Sequence, residues 1–258
     1  MGSERISQRA FFAVSALLFA ISATMTIVWC VSMSAMGGGW PMSMAWMRMP
    51  GQTWLGAATS FLGMWIVMMV AMMLPSLIPM LLRYRQAVRR TAGRRLGLLT
   101  ALVGVGYFVV WTMSGMVVFP LGVALAAIEM QQPAVARAVP IAVGVIVLIA
   151  GALQFTAWKA RHLTHCHETP RRLRALPANA RTAWRHGLRL GLHCSCCCVG
   201  LMVILLVVGV MDLRAMAVVA AAMTIERLAP AAVRAARAIG VMIVGAGLFV
   251  IALAAGLG

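Results

Sequence analysis

The sequence predicts an all-α, polytopic transmembrane helix bundle of about seven spans, the sixth of them short, with the N-terminus cytosolic and the C-terminus outside. Three observations predict it. The first is composition: the 258 residues are 63% hydrophobic and 10% charged, with a mean hydropathy of +0.96, whereas soluble domains carry about 25% charged residues. The second is a series of apolar runs near 11–33, 54–82, 97–128, 135–158, 188–210, 213–228 and 236–256; roughly 20 apolar residues cross a hydrocarbon core. The third is the placement of Lys and Arg, which collect between alternate runs. A net charge of +17 in a soluble chain would point to nucleic acid. In this composition it reads as orientation and as contact with anionic lipid, so the partner is the bilayer and no nucleic acid is expected. No linker or low-complexity stretch divides the chain, and 1–258 reads as one integral membrane domain.

The runs follow in order. The first comes after Arg5 and Arg9 and exceeds the roughly 7–15 residues of a signal-peptide core, which makes it an uncleaved anchor. Cys30 at its outer end reads as a small buried apolar residue. The loop after it carries Met33, Met36, Met42, Met44, Met47 and Met49 beside Trp40 and Trp46. Thioethers bind without deprotonation and select Cu(I); the tryptophans equally suit an interfacial belt. In the second run Met64, Met68 and Met72 are spaced four apart, with Met69 and Met73 beside them, and Pro75 and Pro79 follow. Each proline frees the carbonyl four residues back, at Ala71 and Pro75. That pattern fits a kinked, thioether-lined pathway, and it fits a methionine-rich core as well.

The third and fourth runs are joined outside, where Glu129 falls at a solvated end. The inner loop after the fourth holds His162, His165, Cys166 and His167 among many arginines; basic surroundings favour the thiolate form of Cys166. The fifth run opens with His193-Cys194-Ser195-Cys196-Cys197-Cys198. Cys194, Cys197 and Cys198 share one helix face and Cys196 points elsewhere. A thiolate site there suits Cu(I) or Zn(II), while small residues in a membrane helix also serve close packing. The short sixth run ends at Glu226, next to Arg227. A carboxylate inside the membrane is functional by default; its plainer reading is an interfacial pair with Arg227 or another arginine. If all seven runs cross, only Arg48, Arg137 and Arg214 lie outside. If 213–228 does not cross, Arg227, Arg234 and Arg237 join them, so the positive-inside rule favours seven crossings. On that topology Cys166 and the cysteines of the fifth run lie toward the cytosol, which keeps thiols reduced.

These blocks resemble a known family. Met68-Met69-Val70-Ala71-Met72-Met73-Leu74-Pro75-Ser76, with Pro79 after it, is similar to the A-M-M-L-P-S signature of the bacterial predicted metal-binding integral membrane proteins, a family of unknown function whose members are sometimes labelled copper chaperones. Lys159 through Pro170 resembles its K-x-x-C-L-x-x-C…P stretch. Gly187 through Met202 resembles G-x-x-x-G-x-x-C-x-G-C-C-W-x-L-M. Gly209 through Leu213 and Glu226-Arg227 resemble G-V-M-N-L and E-K. The chain departs at His162 for Cys, Cys196 for Gly, Val199 for Trp, Asp212 for Asn, Ala215 for Trp and Arg227 for Lys. The resemblance implies Cys166, Cys194, Cys197 and Cys198 as metal ligands, with His162 in place of a cysteine, and it implies the bacterial inner (plasma) membrane.

Taken together, the expected metal-binding residues are Cys194, Cys197, Cys198, Cys166, His162, His165, His193, Met69, Met72, Met73 and Glu226. Cu(I) is the expected ion, with zinc or iron as alternatives. Copper handling covers binding, delivery to a partner cuproprotein or soluble metal carrier, and translocation. Two other readings stand beside it: a membrane metal-dependent oxidoreductase, and a structural membrane subunit without metal. The oxidoreductase wants imidazole and carboxylate ligands with an open position, which five histidines, none deep in a span, serve poorly. No nucleotide-binding glycine loop and no nucleophile triad occurs.

Overall fold

The computed structural model describes residues 2–35, 51–168 and 177–256. The described residues form eight α-helices and no strands. These are α1 (Gly2–Ala35), α2 (Trp54–Ala92), α3 (Leu96–Gln131), α4 (Pro133–Leu153), α5 (Ala157–Glu168), α6 (Ala180–Val208), α7 (Leu213–Leu228) and α8 (Ala232–Ala254). A three-residue 3-10 turn, Gly93–Arg95, links α2 to α3.

Five helices, α1, α2, α3, α6 and α8, are long and apolar enough to cross a membrane. The predicted run 135–158 is not one straight rod: α4 and α5 meet at a 61° bend, and together they make a sixth candidate span. Nothing at the bend is a proline or glycine; the break falls at Gln154-Phe155-Thr156. The run 213–228 coincides with α7, whose 16 residues extend about 24 Å at 1.5 Å per residue, less than a hydrocarbon core of about 30 Å.

Caps account for several boundaries. Thr53 accepts a hydrogen bond from the Gly56 amide at the start of α2, and Asn179 accepts one from the Thr182 amide at the start of α6, each satisfying a donor that the helix leaves open. Gly209 ends α6 at φ 137°, a backbone angle that side chains disfavour. Three residues later Asp212 accepts from the amides of Arg214 and Ala215 and starts α7. This tight return matters for the site. Cys198 lies about 15 Å before the end of α6 and Glu226 about 20 Å beyond the start of α7, so the hairpin carries the Glu226 end of α7 back beside the cysteines.

Helix α2 runs through the core. Trp65, Met68, Met69, Met72, Met73, Leu77 and Tyr84 are all buried, and the Trp65 indole donates to the Trp111 carbonyl at 2.9 Å, tying α2 to α3. Helices α3 and α6 approach through glycine. A Cβ on Gly187 would collide with the Val103 backbone, and one on Gly191 would sit 2.9 Å from the Tyr107 carbonyl. Glycines four apart let membrane helices approach backbone to backbone, and here they bring Tyr107 against the cysteine face of α6. Elsewhere the outer faces expose Leu17, Val117, Leu121, Val241 and Phe249, an apolar surface suited to acyl chains.

Candidate metal centre

The cysteines of α6 divide as helical spacing predicts. Cys194, Cys197 and Cys198 are buried, while Cys196 is half-buried. Cys194 and Cys198 stand one turn apart and interact through their side chains. Each also has a partner from another helix. The Tyr107 hydroxyl of α3 lies 2.7 Å from Cys194 Sγ, and either group can donate. Arg227 Nη2 of α7 donates to Cys198 Sγ at 3.8 Å.

Around these thiols the structure gathers charged and polar side chains that membrane cores otherwise exclude. Arg227 Nη1 donates to Ser76 Oγ at 3.4 Å, and Ser76 Oγ donates to the Met73 carbonyl at 3.0 Å. Lys159, the third residue of α5, turns inward. Its ammonium donates to the carbonyl of Cys197 and pairs with Glu226 Oε2 at 2.7 Å. Lys159, Glu226, Arg227 and Ser76 are all at most 5% exposed. Five helices thus supply one centre: Met73 and Ser76 from α2, Tyr107 from α3, Lys159 from α5, the thiols from α6, and Glu226 with Arg227 from α7.

Glu226 is therefore inside the protein, and Lys159 is paired with it at 2.7 Å. Lys159, which the charge count places among the cytosolic loop residues, is buried at 4% exposure. Ser76, Tyr107, Lys159 and Arg227 belong to the centre without being among the expected ligands. Ser76, Lys159 and Arg227 stand at defined places in the family-like blocks, which is the signal that would have found them; Tyr107 has none, being one aromatic residue in an apolar helix.

The imidazoles lie at the edge of this centre. His162 on α5 and His193 on α6 are half-buried, with ring centroids 5.8 Å apart. Trp158 packs edge-on against His162 at 4.7 Å, and His162 Nδ1 is buried with no hydrogen-bond partner among the described residues. His193 immediately precedes Cys194, so the imidazole pair adjoins the thiols along α6. Met69, Met72 and Met73 are buried in the same core cluster as Cys194, Cys197 and Cys198. The side chains of His165 and Cys166 lie outside the described residues, as do those of the methionines from Met33 to Met49. Cys30 is buried, as its residue type suggests, and its Sγ lies 4.0 Å from Met211 Sδ.

Among the described residues, no three His, Cys, Asp or Glu side chains converge as a group able to hold a metal ion. The donors that do meet are two thiols on one helix, with a hydroxyl and a guanidinium turned toward them. Two sulfurs in a dry site suit a soft ion of low coordination number. They fit poorly with the four ligands that structural zinc takes.

A family model described as copper chaperone, PpoB2, matches residues 62–250, and the chain belongs to this family. No curated protein and no solved structure matches the chain. The matched segment contains every residue of the centre, from Met69 to Arg227. Helix α1 and the methionines from Met33 to Met49 fall before it.

Proposed function

We propose that this member of the copper chaperone family is a multi-pass membrane protein that takes up Cu(I) at the buried thiols of α6 and passes it to a cuproprotein or a soluble metal carrier. The observation that carries the reading is the meeting of Cys194 and Cys198 with Tyr107 and Arg227 in a water-poor core. Thiolate is the strongest protein donor for Cu(I), and thioether is a weaker one of the same class. A path that alternates the two lets the ion change partners by ligand substitution without entering water.

In this mechanism His162 and His193, with His165 and Cys166 on the same helix as His162, offer the first ligands at the edge of the centre. Cys194, Cys197 and Cys198 hold the ion, and Met69, Met72 and Met73 line the route through α2. Glu226 serves through Lys159, which it pairs with and aims at the Cys197 carbonyl; it is not itself a ligand. The chain would sit in the bacterial inner membrane with its N-terminus in the cytosol, which keeps the thiols reduced and able to bind.

The test is to purify the full chain in detergent and quantify Cu, Zn and Fe. About one copper per chain is expected, and the Cys194→Ser, Cys197→Ser, Cys198→Ser triple variant should carry none. Stoichiometric copper in a folded triple variant rejects the site.

A further inference from the structure

We propose that the groove between α3, α4 and α6 binds one phospholipid with a primary ammonium headgroup: an acyl chain lies along the groove and Glu129 meets the ammonium. The site is separate from the thiol centre and does not depend on the copper reading.

The first argument is shape. The cavity has a volume of about 240 Å³ and is lined by Val118 and Leu125 of α3, Ile146 of α4 and Val203 and Val207 of α6, with Glu129 at one end. Apart from that carboxylate, every lining residue is apolar or glycine. From Val118 to Glu129 the groove follows α3 for about 16 Å at 1.5 Å per residue, and one leaflet of a hydrocarbon core is about 15 Å deep. The groove is therefore as long as a layer of acyl chains is thick. It is smaller than the roughly 300–1,000 Å³ of pockets that enclose a compact ligand. Leu121 and Leu125, both in the lining, are more than half exposed, so the groove opens sideways from the bundle, where acyl chains run.

The second argument is charge. The chain has five acidic residues against 22 basic ones, so a carboxylate is the rarer charge for it to present. Glu129 lies in the last turn of α3, which carries no basic residue. A helix C-terminus holds partial negative charge, which disfavours a carboxylate and favours a cation. The side chain and the helix end thus call for the same thing, a positive group at the mouth of an apolar groove. A phospholipid ending in a primary ammonium supplies the cation and the chain together, and its ammonium donates hydrogen bonds as that of lysine does. A trimethylammonium headgroup brings the charge without the donors. A glycerol headgroup leaves the lipid phosphate facing Glu129 with no cation to offset it, and like charges brought together reject the wrong partner.

The experiment places the full chain in nanodiscs of equal parts ethanolamine, choline and glycerol phospholipids, frees it from the disc in a mass spectrometer and identifies the lipid that stays bound. One retained lipid per chain is expected, with ethanolamine favoured over glycerol about 3–5-fold, the scale of a surface ion pair, and choline between them. Glu129→Gln should bring the three lipids to equality, and Glu129→Asp should keep their order. Gly122→Leu, which puts a side chain into the groove, should release lipid of every headgroup; Val118→Phe does the same from the deep end if Gly122→Leu does not fold. Copper per chain should stay at the wild-type level in Glu129→Gln. An unchanged preference in Glu129→Gln, or glycerol lipid held as firmly as ethanolamine lipid by the wild type, overturns the headgroup assignment. Undiminished lipid in the groove-filling variants overturns the groove, and no retained lipid on the wild type overturns both.

Discussion

Replacing Lys159 with Met removes one half of an ion pair that has no water to fall back on. Lys159 Nζ and Glu226 Oε2 are 2.7 Å apart, and the two side chains are 5% and 2% exposed. At an effective dielectric constant of about 20, Coulomb's law gives roughly 6 kcal/mol of gross attraction at that distance. Desolvation offsets much of it, and breaking a buried pair from one side costs about 3–5 kcal/mol in measured cases. Lys159→Met also strips the Cys197 carbonyl of its donor. Glu226→Gln leaves that bond in place, so the lysine variant should be the worse of the two. The double variant Lys159→Met, Glu226→Leu leaves no charge stranded and should regain most of the loss, because apolar replacements of buried pairs are often neutral.

The assay is built into the protein. Cys30, Cys194, Cys197 and Cys198 are buried thiols outside any disulfide, so a thiol-reactive fluorophore reports their release on heating in detergent. At about 2–4 °C per kcal/mol for a chain of this size, the single lysine variant should melt roughly 6–20 °C below wild type. The double variant should lie close to wild type. A lysine variant that melts like wild type, or a double variant no better than the single, refutes the buried pair.

Three further outcomes follow from the same geometry. Gly187→Val drives a side chain into the Val103 backbone; overpacking of this kind costs about 1–3 kcal/mol or more, and by parting α3 from α6 it should lower both the melting temperature and copper retention, measured on one preparation. His162→Ala, His193→Ala should slow Cu(I) loading, followed by stopped-flow transfer from a coloured Cu(I) complex, while the final copper per chain stays at wild-type level; an unchanged rate removes the imidazoles from the route. Lys159→Met, Glu226→Leu, Arg227→Met should fold and melt near wild type yet bind Cu(I) far more weakly; unimpaired binding would show that the buried charges serve structure alone.

The helices were largely legible because each needs only local information. A run such as 97–128 is apolar for long enough to declare itself, and the break between the runs 188–210 and 213–228 falls where α6 ends and α7 starts. The bend at Gln154-Phe155-Thr156 was not legible, because no residue there forbids a helix. The same distinction holds in the centre. The spacing of Cys194, Cys197 and Cys198 puts three thiols on one face, and the structure buries all three. Lys159 reads as a loop cation because it sits beside Arg161 at the end of an apolar run. Its burial depends on Glu226, 67 residues away, and only the tertiary fold brings a counter-charge to it. Periodicity likewise has no means of matching Tyr107 to Cys194, a pairing set by the close glycine contact of α3 with α6.

The cost of this centre bears on what it is for. Packing thiols between membrane helices requires nothing charged; small residues suffice. Yet the protein holds an ammonium, a carboxylate and a guanidinium together at no more than 5% exposure, in surroundings where a buried ion pair adds little net stability over apolar residues of the same size. Stability therefore does not explain their presence. Their contacts suggest what does: the ammonium and carboxylate cancel, and they clamp α5 and α7 to the backbone of α6 at Cys197. The guanidinium reaches past them to a sulfur. On the copper reading, a donor held against a sulfur orients that ligand before an ion arrives, so the polar cluster serves binding more than folding.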